Sequence, residues 1–256
     1  MSAVEAPQAA PATLLLAADI EWSALNPARG ANSPRAANLW GDRTTNGATG
    51  FLVRFKEGFS SPPHIHNVSY RAIVMEGEVH NDDPEAANLW MPPGSYWTQP
   101  SGEVHITSAR ATENMAYVEI DSGPYLVQPT EEAFDNGERP INIHADNLVW
   151  LKSLPADISV NSTSAIPTVE IAHLYQGKGI GDVQGAFLKL PAGFSGTISA
   201  KAAEFTAVLI LGAAEYRAEA EAEKVVLDPG ATLTATERVE LNLSADEAAT
   251  FYLRWR

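Results

Sequence analysis

GFSSPPHIHNVSYRAIVMEG (58–77) and GSYWTQPSGEVHITSA (94–109), separated by residues 78–93, decide how this chain is read. Side chains on a β-strand alternate between faces with a period of two, so His64 and His66 point to the same side. Farther on, Pro100-Ser101-Gly102 offers a tight turn, and His105 follows it with a third imidazole. Three neutral imidazoles converging on one point make a site for a divalent transition metal. Half of the chain's six histidines fall in these two stretches at ligand positions.

The two stretches resemble the paired motifs of the cupins. The first cupin motif runs Gly, five residues, His-x-His, three or four residues, Glu, six residues, Gly. Here Gly58, His64-Ile65-His66, Tyr70 and Gly77 take those places. The second runs Gly, five residues, Pro-x-Gly, two residues, His, three residues, Asn, and is met by Gly94, Pro100-Ser101-Gly102, His105 and Ala109. Two identities depart from the family: Tyr70 stands where a metal-binding Glu is usual, and Ala109 where Asn is usual. The resemblance implies an all-β double-stranded β-helix, or jelly roll, with a metal held by His64, His66 and His105. It does not fix the chemistry, because one fold hosts many functions.

Composition narrows the partners. Seventeen Lys and Arg against 32 Asp and Glu leave a formal charge of −15. Such a surface repels nucleic acid and anionic membranes, since phosphate binding needs clustered cations. No cysteine is present, which excludes disulfides and thiolate ligands and fits cytoplasm and periplasm alike. No stretch approaches the ~18 apolar residues of a membrane-spanning helix. The first dozen residues, rich in Ala and Pro, read as disordered. The expected partner is a small-molecule substrate, with no nucleic acid and no membrane, and a homodimer is the candidate assembly.

Beyond the motifs, short apolar runs such as residues 50–55, 70–75, 116–120, 186–190, 206–211 and 250–255 alternate with Gly, Pro, Asn and Asp turns, as in an all-β protein. An internal repeat sets the organisation: GATGFLVRFKEGFS (47–60) lines up with DVQGAFLKLPAGFS (182–195), an offset of 135. On that offset 70–77 falls on 205–212. The reading is two tandem cupin barrels, 13–127 and 145–256, joined by a connector, 128–144, with one helical turn at 131–134. In the second barrel the ligand positions become Ser199, Lys201, Phe205 and Leu241, so that barrel is expected to be metal-free and structural. Residues 213–224, rich in helix formers, are read as strand because Ala and Glu alternate with period two. Gly177 to Gly181 reads as a turn, since no phosphate-loop spacing follows.

Three neutral ligands would leave the full charge of a divalent cation uncompensated, favouring anionic or enolisable oxygen ligands at its open positions. Tyr70 is expected to face the barrel interior as the catalytic hydrogen-bonding group, and Trp97 to line the substrate pocket. Only one parity of the strand bearing Tyr117 and Glu119 can face inward. Cupins with three histidines and no glutamate resemble dioxygenases of β-diketones or thiols, and also the zinc-binding anti-sigma, ChrR-like cupins. The first expectation is therefore a non-haem Fe(II) dioxygenase acting on a small chelating substrate. The alternatives are a Zn-, Mn- or Ni-dependent lyase, isomerase or hydrolase, and a non-enzymatic metal or ligand sensor.

Overall fold

A computed structural model describes residues 11–163, 168–177, 182–219 and 221–256. Most of the reading of residues 1–12, and the turn at 178–181, lie outside them. The described chain is almost wholly antiparallel β-structure with four short 3₁₀ turns, and none of its helices is long and apolar enough to cross a membrane. The chain divides into two compact units, Ala18–Leu148 and Val149–Arg256, the latter joined by the N-terminal segment up to Ala17.

In Ala18–Leu148 a seven-stranded sheet runs Ile141–Ile143, Tyr96–Gln99, Tyr70–Glu76, Glu113–Ile120, Thr49–Lys56, Arg35–Trp40, Ser23–Ala24. Two short ladders, Val79–Asp82 with Ile106–Ala109 and Ile65–His66 with Val127–Gln128, complete the unit. Strand alternation explains the core. Ala116, Val118 and Ile120 join Phe51, Val53, Ala72 and Val74 inside. Tyr117 and Glu119 take the opposite parity, where the Tyr117 hydroxyl donates to Glu119 Oε2 at 2.8 Å and Arg71 Nε to Oε1 at 2.8 Å. They therefore do not face the histidines.

The stretch read as a connector is built into this unit. Ile141–Ile143 pairs with Tyr96–Thr98, and the Phe134 amide donates to the Gly102 carbonyl at 3.0 Å. The expected helical turn is present as Thr130–Glu132.

The other unit packs a six-stranded sheet against a five-stranded one around its own core. Its edge strand is Thr13–Leu15, which pairs with Thr232–Thr234. The sequence reading began the first barrel at 13; the structure places that strand in the second unit's sheet, where Leu14 and Leu16 pack on its core. Within 213–224, residues 214–217 form a strand as the alternation suggested, hairpinned to Val225–Leu227, while 218–219 and 221–224 are not strand. The repeat is visible in backbone detail. Gly77 and Gly212 both have positive φ, +74° and +79°, and a Cβ would come within 2.2 Å of the Glu113 carbonyl and 2.5 Å of the Ala248 carbonyl. The offset of 135 relates those two blocking residues as well.

Candidate metal centre

His64 and His105 lie directly opposite each other on an antiparallel bridge, exchanging backbone hydrogen bonds at 3.0 and 3.1 Å. Facing residues on antiparallel strands share a side, so both rings turn inward. His66, two residues on, joins them, while Ile65 points the other way into full burial. The strand carrying the two histidines ends at His66 and resumes only at Tyr70. The Gly102 amide donates to the His66 carbonyl at 2.8 Å, locking the Pro100-Ser101-Gly102 turn beneath it. Gly102 has φ +78°, and a Cβ there would meet the Phe134 carbonyl at 2.4 Å, so only glycine fits.

One ring nitrogen from each histidine lies within 4.8 Å of the other two. The remaining ring nitrogens are all spoken for. Nδ1 of His64, His66 and His105 sits 2.9, 2.8 and 3.2 Å from the carbonyls of Pro62, Leu126 and Glu103. A carbonyl only accepts, so each Nδ1 carries the proton and each Nε2 presents a lone pair. Carbonyl-anchored neutral imidazoles are the usual orientation of metal-bound histidine. The donor set fits a divalent transition metal, and among the described residues no other group of three or more His, Asp or Glu gathers in this way. Burial pushes all three pKa values down, that of His105 to about 3; His64 adds to the effect on His105, and both His105 and His64 add to it on His66. For His64, burial is again the main cause and the Arg29 guanidinium contributes. The rings are thus neutral and ready to ligate at neutral pH.

Tyr70 is buried, with its hydroxyl 3.4 Å from His105 Nε2 and donating to Asn81 Oδ1 at 3.0 Å. Asn81 Nδ2 donates to Gln99 Oε1 at 2.9 Å, and Gln99 Nε2 donates at 3.2 Å to the Glu103 carbonyl, the one that anchors His105. A closed polar network therefore ties Tyr70 to the orientation of His105. Trp97 is also buried, and its indole N–H lies 3.5 Å from the Tyr70 hydroxyl. Tyr125 went unnoticed in the sequence. Its ring stacks on His66 with centroids 4.3 Å apart, and its hydroxyl lies 3.1 Å from His66 Nε2. The only hint was its place directly after the Gly123-Pro124 turn. Burial holds both phenols far above pH 10, so both are neutral donors.

A cavity of about 150 Å³ opens over His64 and His66, walled by Val53, Phe55, Phe59, Val118 and Trp97 as well as the two tyrosines. That is room for roughly one benzene ring. Residues 13–256 match the family described as a domain of unknown function, DUF4437. The chain belongs to the DUF4437 family. No curated protein matches it. Among solved structures, the DUF4437 chain is similar to a candidate dioxygenase from Nostoc punctiforme at 14% identity and TM-score 0.66, covering 96% of this chain and 82% of that one. It is similar also to an oxalate decarboxylase from Lactobacillus farciminis captured with formate, at 11% identity and TM-score 0.56, covering 98% and 87%. A vicilin from Capsicum annuum matches at 10% identity and TM-score 0.58, covering 94% and 85%. These likenesses establish the cupin fold, and with the three-histidine cluster they point to a divalent metal.

Proposed function

We propose that this DUF4437 protein is a metal-dependent cupin acting on a small chelating oxygen-containing substrate, with Fe(II)-dependent dioxygenation as its reaction. One observation carries the reading: three neutral histidines, each fixed through Nδ1, bring their Nε2 lone pairs together, and two of them, His64 and His66, line an apolar cavity. A bound Fe(II) supplies one-electron chemistry with dioxygen, and no carboxylate in the set neutralises its charge, so an anionic chelating substrate is favoured. The candidate dioxygenase among the structural neighbours supports the same choice.

The chain's own residues do the rest. His64, His66 and His105 hold the cation. The neutral Tyr125 hydroxyl is placed to donate a hydrogen bond to negative charge developing on a substrate oxygen, while Tyr70, whose proton goes to Asn81 Oδ1, holds His105 in position through the polar network. Trp97, Phe55 and Val118 keep water out and strengthen those bonds by lowering the local dielectric. A second reading, a Zn-, Mn- or Ni-dependent lyase, isomerase or hydrolase, is favoured by the same paired phenols as proton-bearing groups and by the oxalate decarboxylase neighbour.

Elemental analysis of purified protein, followed by oxygen-electrode assays of the Fe(II)-loaded form against β-dicarbonyl and hydroxy-acid compounds, tests the proposal. Oxygen uptake with a member of the panel, falling at least about tenfold in Tyr70→Phe with metal retained, is the expected result. Native zinc with no oxygen uptake after iron loading transfers the assignment to the second reading. Metal binding without turnover of any kind leaves a sensor.

A further inference from the structure

Seventeen of the described residues line the cavity, and with the histidines neutral Arg29 is the only one of them that carries a charge. The chain has nearly twice as many acids as bases, and many of its arginines are engaged by carboxylates, although Arg54, like Arg29, lies instead over an aromatic ring. Arg71, Arg110, Arg139, Arg238, Arg254 and Arg256 all pair with carboxylates. The Arg29 guanidinium forms no ion pair or side-chain hydrogen bond among the described residues; it lies over the Phe59 ring, 5.7 Å from the centroid. Cation–π contact leaves all its N–H donors unspent.

The segment that carries Arg29 is tied down. Pro27–Asn32 is a 3₁₀ segment capped by Asn26, whose side chain accepts from the Ala28 amide at 3.1 Å. The Asn26 amide donates to Ser33 Oγ at 2.9 Å, and Lys56 Nζ donates to the Ala31 carbonyl at 2.9 Å. Gly30, at φ +54°, lets the chain reverse directly after the arginine. The side chain is therefore presented at the cavity by a held loop.

We infer that Arg29 is a specificity-determining residue that binds a carboxylate of the substrate, so that the cavity takes a monocarboxylate with a compact apolar body. A net charge of −15 disfavours the approach of anions in general, and a planar fork of donors at the cavity opposes that locally. The fork matches a carboxylate bidentately, while Phe59, Phe55 and Val53 offer only apolar contact to whatever lies between Arg29 and the histidines. The cavity's volume limits that body to about one small ring. The inference rests on reading this cavity as the substrate site, but not on which metal or reaction occupies it.

The test is calorimetric, with benzoate and its uncharged isostere benzamide as probes, on chelator-treated full-length protein so that no cation can bind the carboxylate. Benzoate should bind at least about tenfold more tightly than benzamide, the scale of one charge-assisted bond. Arg29→Gln should bring the two together, and Arg29→Lys should keep part of the preference. Equal binding in the wild type, no binding of benzoate at millimolar concentration, or a preference untouched in Arg29→Gln overturns the inference. The two proposals fail separately. An Arg29-dependent preference in a protein that never acquires metal sinks the metal-dependent function alone. Oxygen uptake with an uncharged diketone, in a protein whose benzoate preference ignores Arg29→Gln, sinks the carboxylate site alone.

Discussion

The two units are built on one repeat and use its centre in opposite ways. In Ala18–Leu148 the antiparallel bridge at the centre joins His64 to His105, and a cavity stands over it. In the other unit the corresponding strands pair Ile198 with Leu241, both buried in the core. Among the described residues that core cluster holds 26 buried apolar residues, against 14 in the core cluster that includes Tyr70 and Trp97. Offset counting had placed Ser199 at the first ligand position. The register shows that Ser199 faces Glu240 instead, so it lies on the opposite side of the sheet from Leu241. The second unit differs by more than its lack of these histidines: its strand runs unbroken from Phe194 to Ala200, where the first unit has isolated bridges at Ser60 and His64 before the short strand Ile65–His66, and it turns different residues inward. A metal-ready cavity and a fully packed core are alternative outcomes at the same place in one fold.

The contrast can be broken most completely by removing ligands. His64→Ala/His66→Ala should take metal content from about one per chain to near zero, measured by elemental analysis. Unchanged content would move the metal elsewhere and erase the difference between the units. Next in size is Leu241→Ala, which opens a void in the filled core. Chemical denaturation should show a loss of ~2–5 kcal/mol with metal content unchanged. A loss below about 1 kcal/mol would mean the second core is not closely packed.

His105→Leu copies the second unit's residue into the first, and its signature is pH dependence. In the metal-free protein burial holds His105 at about 3 and keeps His66 well below its ordinary value of 6.5. Below pH 6.5 the unfolded chain takes up protons that these folded rings refuse, so stability is fully present above that pH and is lost on acidification. The slope is at most about 1.4 kcal/mol per pH unit for each histidine. Between pH 6.5 and 5, before carboxylates contribute strongly, His105→Leu should flatten part of that decline. An unaltered slope would show that His105 is not buried neutral. The smallest effect belongs to Tyr125→Phe, which deletes the hydroxyl facing His66 and should cost ~1 kcal/mol with the fold and metal content intact. A loss of metal in this variant would give Tyr125 a direct part in ligation.

What the sequence made legible was local. His64, His66, Gly102 and His105 could be found because ligand spacing and turn geometry are written over short stretches. The long strands could be found because their apolar runs are bounded by turn residues, as with Thr49–Lys56 and Ala249–Trp255. Residues that meet the site through tertiary contact were hidden. Tyr125 stacks on a histidine 59 residues away, Asn81 and Gln99 are joined only across strands, and Arg29 arrives on a loop preceding both motifs. The register slip at Ser199 was hidden for a related reason. A one-residue offset leaves the composition of a strand unchanged and reverses every side chain on it.

Thr13–Leu15 is synthesised long before the strand it pairs with, since Thr13 faces Thr234, 221 positions later (234 − 13). Residues 18–148 form a contiguous unit that can close during that interval, whereas the unit containing both Leu14 and Leu233 cannot be completed until synthesis is nearly over. Joining segments so far apart carries a large loop-closure entropy unless an already folded insert shortens the effective loop. The histidine-bearing unit would thus act as a folding aid for the other: once compact, it turns a long floppy tether into a short one. Refolding measurements should accordingly show residues 18–148 acquiring protection from hydrogen exchange first, with Leu14 and Leu233 protected together and last.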